Sequence, residues 1–536
     1  TGMETQLTGG RYRPLSIVTL AIEYSFLGMN PMFSHGVNII LYCICIWLLY
    51  RFLNRFLFPQ NSLLSFLSVL IFAIHPTHTE VVANIKSRDE LMCLAFLILS
   101  MHMVFTHFLI RKNLLLMITG LICFFLSLLS KENGLVYIAV IPLIFYVFHK
   151  KSIKESLIPA IPFIAVEMIY FLVRFKITGA KMIESQEILN APFLYATTIQ
   201  AFCTKVALLG KYFLMLIFPY KLSYDYSYNQ IKYLGPGSVY FILSFLLNTF
   251  LIVYAFLKIR KRSVIAFCIL FYFLNLVLVS NFLVDVGTPF ADRFLFQPSL
   301  ALGIALALLF EKYIRSQKSR NITLSFIVIL ILASGVRTIS RNMDWKNEEI
   351  LFIEDAKVCP NSAKTNNNCG VALINKSAKP ENVNSKNRML NEAIRSIQKA
   401  IKIHPKYVDA YLNMGVAYSR LVDPVNAEIY WLEAQRQSPY HPRLKEYLVV
   451  LGDLYSNSGI KLCQDKQFTQ AIPFLEKSIA YNTKNMVQSW YNLGGSYLMS
   501  GNTEKAKEVW KKTLELDPNH AEAKLWLEKI SQSGVK

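Results

Sequence analysis

Residues 490–518 read WYNLGGSYLMSGNTEKAKEVWKKTLELDP, and their spacing decides half of the fold. Trp490, Leu493, Gly494 and Tyr497 lie on one face of a first helix; Ala506 and Trp510 lie on one face of a second. Pro518 closes the copy. The same offsets recur upstream at Tyr411, Met414, Gly415, Tyr418, Ala427, Trp431, Ala434 and Pro439. Ala393, Ala400 and Pro405 close an earlier copy that starts near Gly370. Gly459, Ala471 and Leu475 mark a weaker one.

A period near 34 residues with small residues where two helices cross is that of tetratricopeptide repeats, here about four over 340–536. Stacked helix pairs build a concave face that binds peptides or proteins. Upstream the composition changes. Residues 1–339 hold 29 Lys+Arg and 14 Asp+Glu, whereas 340–536 hold 27 and 21. A soluble domain carries about 25% charged residues, so only the second part meets that norm. The fold class expected is all-α: a polytopic membrane helical domain at 1–339, then a tetratricopeptide-repeat solenoid. This excludes an all-soluble enzyme, a disordered chain and a disulfide scaffold. Of the net charge of +21, +15 lies in the membrane part, which points to basic loops at one membrane face and not to a nucleic-acid partner.

Ten spanning helices are expected, at 35–56, 61–78, 90–110, 114–130, 134–149, 157–173, 237–257, 263–283, 298–314 and 322–339. Their joints alternate. Arg51 to Arg55, Arg111-Lys112, Lys150 to Lys154, Lys258 to Arg262 and Lys312 to Arg320 are basic and face the cytosol by the positive-inside rule. Residues 196–219 are apolar enough to span. Lys205 and Lys211 argue for an interfacial or re-entrant helix instead, since a charge at bilayer centre costs about 2.5–3.5 kcal/mol on insertion scales. The loops 75–90, 130–134, 174–235 and 281–298, and everything after 340, then share the non-cytosolic face. Residues 12–28, broken by Glu23, read as a helix lying on that face.

Those loops hold the candidate chemistry. HPTHTEVVANIKSRDE at 75–90 packs His78, Glu80, Arg88 and Asp89 between two spans. Carboxylates there would order an acceptor hydroxyl and Arg would hold a lipid phosphate; a solvated loop with Ser87 as helix cap is the alternative. SKENG brings Lys131 and Glu132, FPYKLSYDYSYN brings Asp225 among tyrosines, and GTPFADRFLFQPS brings Asp292 and Arg293. Arg11 and Arg13 stand in GGRYRPLS, and Glu167 lies inside a span. His75 and His78 alone make a weak metal pattern, and no metal or cofactor is expected. No phosphate loop, GxSxG elbow, HExxH or dinucleotide fingerprint is present. Cys359 and Cys369 are candidates to pair in an oxidising compartment.

YRPLSIVTLAIEY, FSHGVNIILY, HPTHTEVVANIKSRDE, SKENG, LFPYKLSYDYS, ADRFLFQPS and RNMDW occur in this order, followed by the repeats. The whole resembles the transmembrane and tetratricopeptide repeat-containing proteins, protein O-mannosyltransferases. GGRYRPLS with VVANIKSRDE resembles their bacterial relatives. The resemblance implies a C-type membrane glycosyltransferase fold that takes a sugar, mannose in the animal family, from a polyprenyl-phosphate donor to Ser or Thr of an acceptor protein. It implies a further N-terminal span and an acidic pair just upstream of YRPL as general base. TGMETQLTGG, from Thr1 onward, contains neither and reads as an internal cut. The acidic pair is therefore expected upstream of Thr1, and the stretch from Thr1 to Lys536 alone is expected to be inactive. Glu80 and Asp89 would then support catalysis, and Arg13, His78, Arg88, Lys131, Glu132, Asp225, Asp292 and Arg293 would bind substrate. The expected partners are a polyprenyl-phosphate-linked sugar, an acceptor protein or peptide and the lipid bilayer. The expected setting is a bacterial inner membrane with repeats in the periplasm, or alternatively the endoplasmic reticulum with repeats in the lumen. A non-catalytic membrane scaffold for protein interaction is the competing function.

Overall fold

A computed structural model describes residues 12–179 and 187–533. Among these residues there are helices and turns and no strand. Thr1, Arg11 and the whole stretch TGMETQLTGG between them lie outside the described residues, so the expectation of a catalytic acidic pair upstream of Thr1 lies outside them too. The chain divides between Ser362 and Ala363 into two compact units.

In the first unit the helices are α1 Pro14–Leu27, α2 Pro31–Phe52, α3 Ser62–Ala73, α4 His78–Ala83, α5 Arg88–Leu109, α6 Leu114–Ser130, α7 Tyr137–Val147 and α8 Ile153–Leu157. They continue with α9 Ile161–Thr178, α10 Thr198–Ile217, α11 Val239–Ile259, α12 Val264–Val277, α13 Ser299–Ile314, α14 Arg320–Asp344 and α15 Glu348–Val358. Side-chain caps set several starts: Asn61 accepts from Leu64 N, Asn113 from Leu116 N, and Ser152 with Glu155 forms a capping box. The strongest packing is α5 on α6, α3 on α13, α10 on α11 and α2 on α5. Between α2, α5 and α7 the rings of Phe52, Phe56, Phe105 and Phe145 lock edge to face or tilted.

Among the described residues, six helical stretches are long and apolar enough to cross a membrane: Pro31–Leu57, Ile85–Leu109, Ile153–Thr178, Thr198–Ile217, Val239–Ile259 and Arg320–Asp344. Their outer faces carry exposed Trp47, Leu172, Phe250, Phe256, Ile329 and Leu332, which water would not stabilise and lipid tails would. Five of the six coincide with expected spans. The sixth, Thr198–Ile217, is the segment that the charge pattern sets on the surface. Its lysines are sheathed: Lys205 Nζ lies 4.9 Å from the Phe193 ring centroid, and Lys211 Nζ lies 4.4 Å from that of Phe290 and 4.7 Å from that of Tyr226. A cation over aromatic faces is less costly to desolvate than a bare one, so the two charges do not exclude a span. The other expected spans are shorter helices. The 12 residues of α3 rise only about 18 Å at 1.5 Å each, against a hydrocarbon core of about 30 Å.

The second unit pairs α16 Ala363–Ser377 with α17 Lys386–Ile403, α18 Val408–Arg420 with α19 Pro424–Gln437, α20 Leu444–Gln464 with α21 Phe468–Ala480, and α22 Met486–Met499 with α23 Thr503–Leu516. Helix α24, Ala521–Ser533, packs on α23. One glycine marks each crossing. A Cβ on Gly370 would lie 2.3 Å from Ile397, one on Gly415 2.3 Å from Trp431, one on Gly459 2.8 Å from Leu475, and one on Gly494 2.5 Å from Trp510. A larger residue at any of the four would force those side chains to shift. Trp431 and Trp510 are fully buried and donate from Nε1 to the Leu412 and Tyr491 carbonyls, at 3.1 and 3.0 Å. Trp490 is only half-buried, packed at the edge of the cluster that Leu493, Tyr497 and Trp510 form. No disulfide joins any of the nine cysteines, Cys359 and Cys369 included.

Candidate functional site

Helix ends of the first unit bring together side chains that are far apart in sequence. Arg13, just before α1, donates from Nη1 to Asp89 Oδ2 at 2.6 Å, and from Nε and Nη2 to the two Glu132 oxygens at 2.9 and 2.6 Å. Asp89 and Glu90 open α5, where carboxylates suit the helix dipole. Lys131, just past the end of α6, reaches Glu90 Oε1 at 2.5 Å and Asp89 Oδ1 at 3.8 Å. Asn133 donates to the other Glu90 oxygen at 3.1 Å. Three acids thus share two bases. Burial alone would raise the Glu132 carboxyl, but the charge and hydrogen bonds of Arg13, with Lys131, outweigh it and hold it down near 2.

Two further pairs flank this group. Arg88 pairs with Glu23 at 2.7 Å and donates to Asn38 Oδ1 at 3.0 Å and the Ser34 carbonyl at 3.3 Å. Arg293 donates to Glu80 twice, from its side chain to Oε1 at 2.5 Å and from its backbone N–H to Oε2 at 3.1 Å. Glu90 and Asp89 lie close enough to act on the Arg293 charge. Next to it Asp292 accepts from the Tyr226 hydroxyl at 2.8 Å and the Ser223 N–H at 3.0 Å. Burial, with the nearby Glu80 charge, outweighs the Tyr226 hydrogen bond and the Arg341 charge and pushes this carboxyl up to about 8.

The 75–90 stretch is not a solvated loop. His78, Glu80, Arg88, Asp89 and Glu90 are all buried, and Ser87 makes no side-chain cap to α5. His78 bridges the hydroxyls of Tyr42 and Ser299, at 2.8 Å each. His75 sits between Thr77 and the Leu216 carbonyl, and burial lowers it to about 4. Both imidazoles are therefore committed within the protein. Asp225 stands apart from the cluster: it accepts from Ser227 and from Ser362 and pins the 218–237 loop to the end of the first unit. Glu167 is buried on α9 with Oε1 lacking a hydrogen bond.

All four cations of the cluster are paired, and they differ in access. The Arg88 and Lys131 side chains are 1% and 4% exposed, whereas Arg13 and Arg293 are 20% and 27% exposed. An incoming anion can reach only the latter two without unpacking the protein. The sequence reading missed Glu23, Asn38, Tyr226, Arg341 and Asp355 as parts of this framework. Glu23 and Asn38, polar residues in apolar helices, carried a signal; Arg341, in RNMDW, grips Asp355 at 2.5 and 3.0 Å and had none beyond its motif. Asp355 in turn accepts from Tyr224 N–H at 2.7 Å and Ser223 at 3.2 Å, so the 218–237 loop links Arg341 to Asp292.

Two models of the tetratricopeptide repeat match the chain, at 487–520 and at 389–422. Mouse protein O-mannosyl-transferase TMTC3 is 24% identical over 98% of this chain and 59% of its own length. The human protein of that name is 25% identical over the same shares. Protein O-mannosyl-transferase F38B6.6 of Caenorhabditis elegans is 28% identical over 74% of this chain and 54% of its own length. The chain spans about three-fifths of the length of the first two. Over nearly all of its residues, then, the chain is a multi-pass membrane homologue of proteins named protein O-mannosyl-transferases, and it carries tetratricopeptide repeats.

Proposed function

We propose that the protein is a membrane glycosyltransferase that moves a sugar, mannose first among candidates, from a polyprenyl-phosphate donor to Ser or Thr of a protein acceptor held by the repeats. In this reading the first unit crosses the membrane about ten times, and the motif loops and the repeats share the non-cytosolic face, the periplasm in a bacterium or the lumen of the endoplasmic reticulum. One observation carries the proposal. Residues 13, 89, 90 and 131–133, drawn from the motifs shared with the resembled family, meet in one cluster of charged side chains at helix ends, and the Glu80–Arg293 pair lies within electrostatic reach of it. A donor phosphate arriving there would exchange Glu80 for itself on Arg293, whose planar fork takes two oxygens, with Arg13 as second cation. In this reading Glu80 and Asp89 position their neighbours and support catalysis.

The test is transfer of labelled mannose from polyprenyl-phosphate mannose to a Ser/Thr peptide, by the complete open reading frame in liposomes. Transfer is expected, and Arg293→Ala should lose at least tenfold. The full pairing of all four cations favours a second reading, a non-catalytic scaffold whose buried charges fix the fold. A well-folded protein inactive with every lipid-linked sugar tried would establish that reading instead.

A further inference from the structure

The basic joints of the first unit meet at one end of it. Phe58 and Phe148 bring two of them together, with ring centroids 5.5 Å apart. Arg262 donates to the Lys151 carbonyl at 3.2 Å, and Asn61 donates to Glu311 at 2.5 Å. Helix α5, which leads into Arg111-Lys112, ends beside them, its Phe105 ring 5.2 Å from Phe52 and 6.2 Å from His149. The stretches 51–55, 111–112, 150–154, 258–262 and 312–320 hold fifteen Lys and Arg and no acid. Two acids adjoin them and both are engaged: Glu155 accepts from the Ser152 N–H, and Glu311 accepts from Asn61 and Arg315. Arg315 alone of the fifteen is in an ion pair among the described residues. Helix α2 separates this end from the cluster described above. Asn38, near its start, accepts from Arg88, and Arg51 stands thirteen residues on, about 20 Å along the axis.

At this end a π-helical turn, Leu53–Leu57, follows α2 and closes with the Phe58 N–H on the Leu53 carbonyl at 2.8 Å. Such a turn winds less per residue than an α-helix, so Arg55 comes in line with Arg51. Both are exposed, and Arg55 lies with Cζ 5.4 Å from the Phe56 ring centroid. Like charges so placed repel each other. Ahead of Arg51, Ile40, Ile44 and Trp47 continue the same face of α2 at helical spacing, and they too are exposed. We propose that Arg51 and Arg55 hold the phosphate of an acidic phospholipid whose acyl chain lies along Ile40, Ile44 and Trp47. Two guanidinium forks supply the charge and the donors that phosphate oxygens take. Trp47, one turn from Arg51, stands where amphipathic rings sit at a membrane boundary. The apolar stripe beside the charges selects a lipid over a soluble phosphate. A zwitterionic headgroup fits less well, since its ammonium meets many cations here and no uncommitted acid. The site lies apart from the one proposed for the sugar donor and rests on nothing in that reading.

The measurement is Trp47 fluorescence of the full chain in vesicles of phosphatidylcholine with brominated acyl chains, which quench a tryptophan they touch. Trp47→Phe identifies its share of the signal. Added unbrominated phosphatidylglycerol should restore that emission at a membrane fraction at least about tenfold lower than unbrominated phosphatidylcholine needs, the preference expected of two basic residues on an anionic headgroup. Arg51→Gln with Arg55→Gln should make the two lipids equivalent with thermal unfolding unchanged. Arg260→Gln with Lys261→Gln removes the same charge from another joint and should keep most of the preference. Equivalence of the two lipids in the unaltered chain overturns the proposal. So does an equal loss in both double variants, which would make the preference a matter of net charge. Loss of the preference in millimolar inorganic phosphate would assign the Arg pair to a soluble anion and overturn it as well.

Discussion

The two units spend burial in opposite ways. The first hides charge: the side chains of Arg88, Lys131 and Glu90 are nearly inaccessible, while Trp47, Phe250 and Leu332 point outward. The second hides aromatic surface: Trp431 and Trp510 fill its crossings, and its charged residues mostly sit outside. The contrast follows from the medium. Where lipid covers the outside, apolar exposure costs nothing and polar groups must satisfy one another. In the repeats water covers the outside and the core must be apolar.

The largest effects should come from breaking each kind of burial, and their chemistry should differ. Trp431→Ala is expected to destabilise the repeat unit by about 3–5 kcal/mol through lost transfer energy and a cavity. Arg88→Ala is expected to cost the membrane unit about 1–3 kcal/mol by leaving the buried Asn38 Oδ1 without its donor and Glu23 with Ser34 as its remaining partner. Conservative replacements separate the two. Trp431→Phe should recover part of the loss, whereas Arg88→Lys should recover little, since Lys cannot reproduce bonds to Glu23, Asn38 and the Ser34 carbonyl together. Thermal unfolding in detergent, read by fluorescence and by protease nicking of each unit, measures all four. Equal recovery by both conservative variants would erase the distinction. Trp490→Ala, half-buried, should cost clearly less than Trp431→Ala.

Next in size is the pH response. Asp292 titrates near 8 in the folded protein, against about 3.9 for a free Asp. Between those values the folded state binds the extra proton, so stability falls as pH rises through the window. His75, lowered to about 4, acts in the opposite sense from about 4 to 6.5: the unfolded chain binds the proton there, and stability rises with pH. From pH 6.5 to 8 the Asp292 contribution is therefore unopposed by His75. The unfolding midpoint of the first unit should drop across that range, and Asp292→Asn should flatten the drop. An unchanged slope in Asp292→Asn would show that this carboxyl is ionised throughout.

The same contrast explains what was legible in the sequence. In the repeats each local signal agrees with the fold: Gly494 and Trp510 sit at helical spacing and meet in space. Repetition let one copy check another. The membrane cluster has no period. Arg13, Glu80, Asp89, Glu132 and Arg293 stood out as charges near apolar runs, but their pairing is a matter of tertiary approach that no spacing encodes. Glu23, the partner of Arg88, looked like an interruption of an apolar helix. Helix α10 shows the reverse difficulty: Lys205 and Lys211 looked prohibitive because the rings that cover them come from distant loops.

A smaller effect should separate the cations within the membrane cluster. Arg293→Lys keeps a charge for Glu80 but loses the fork; mannose transfer should fall about tenfold with little change in folding. Arg88→Lys should instead lose stability first, because its guanidinium is enclosed. Specific activity per folded molecule, measured alongside unfolding, distinguishes the two outcomes. A loss of activity in folded Arg88→Lys equal to that in Arg293→Lys would mean that the enclosed pair also opens to substrate.

The smallest expected effect uses the same chemistry in the other medium. In the repeats Arg443 Nη2 reaches Asp409 Oδ1 at 2.6 Å, across neighbouring helix pairs, with both side chains about half exposed. Its distance matches that of the Arg13–Asp89 pair, so geometry alone would give the two equal weight. Water decides otherwise: exposed pairs contribute about 0–1 kcal/mol because solvent screens them and the side chains lose freedom. Arg443→Ala should therefore shift the repeat unfolding by less than about 1 kcal/mol, and by less still in high salt, where the Debye length shrinks to about 3 Å at 1 M. Arg13→Ala should cost more and respond less to salt, because it removes three bonds at once and leaves the buried Asp89 with only Lys131, 3.8 Å away, as a cation. A salt-sensitive Arg13→Ala or a salt-insensitive Arg443→Ala would mean that access to water does not distinguish the two units in the way their burial suggests.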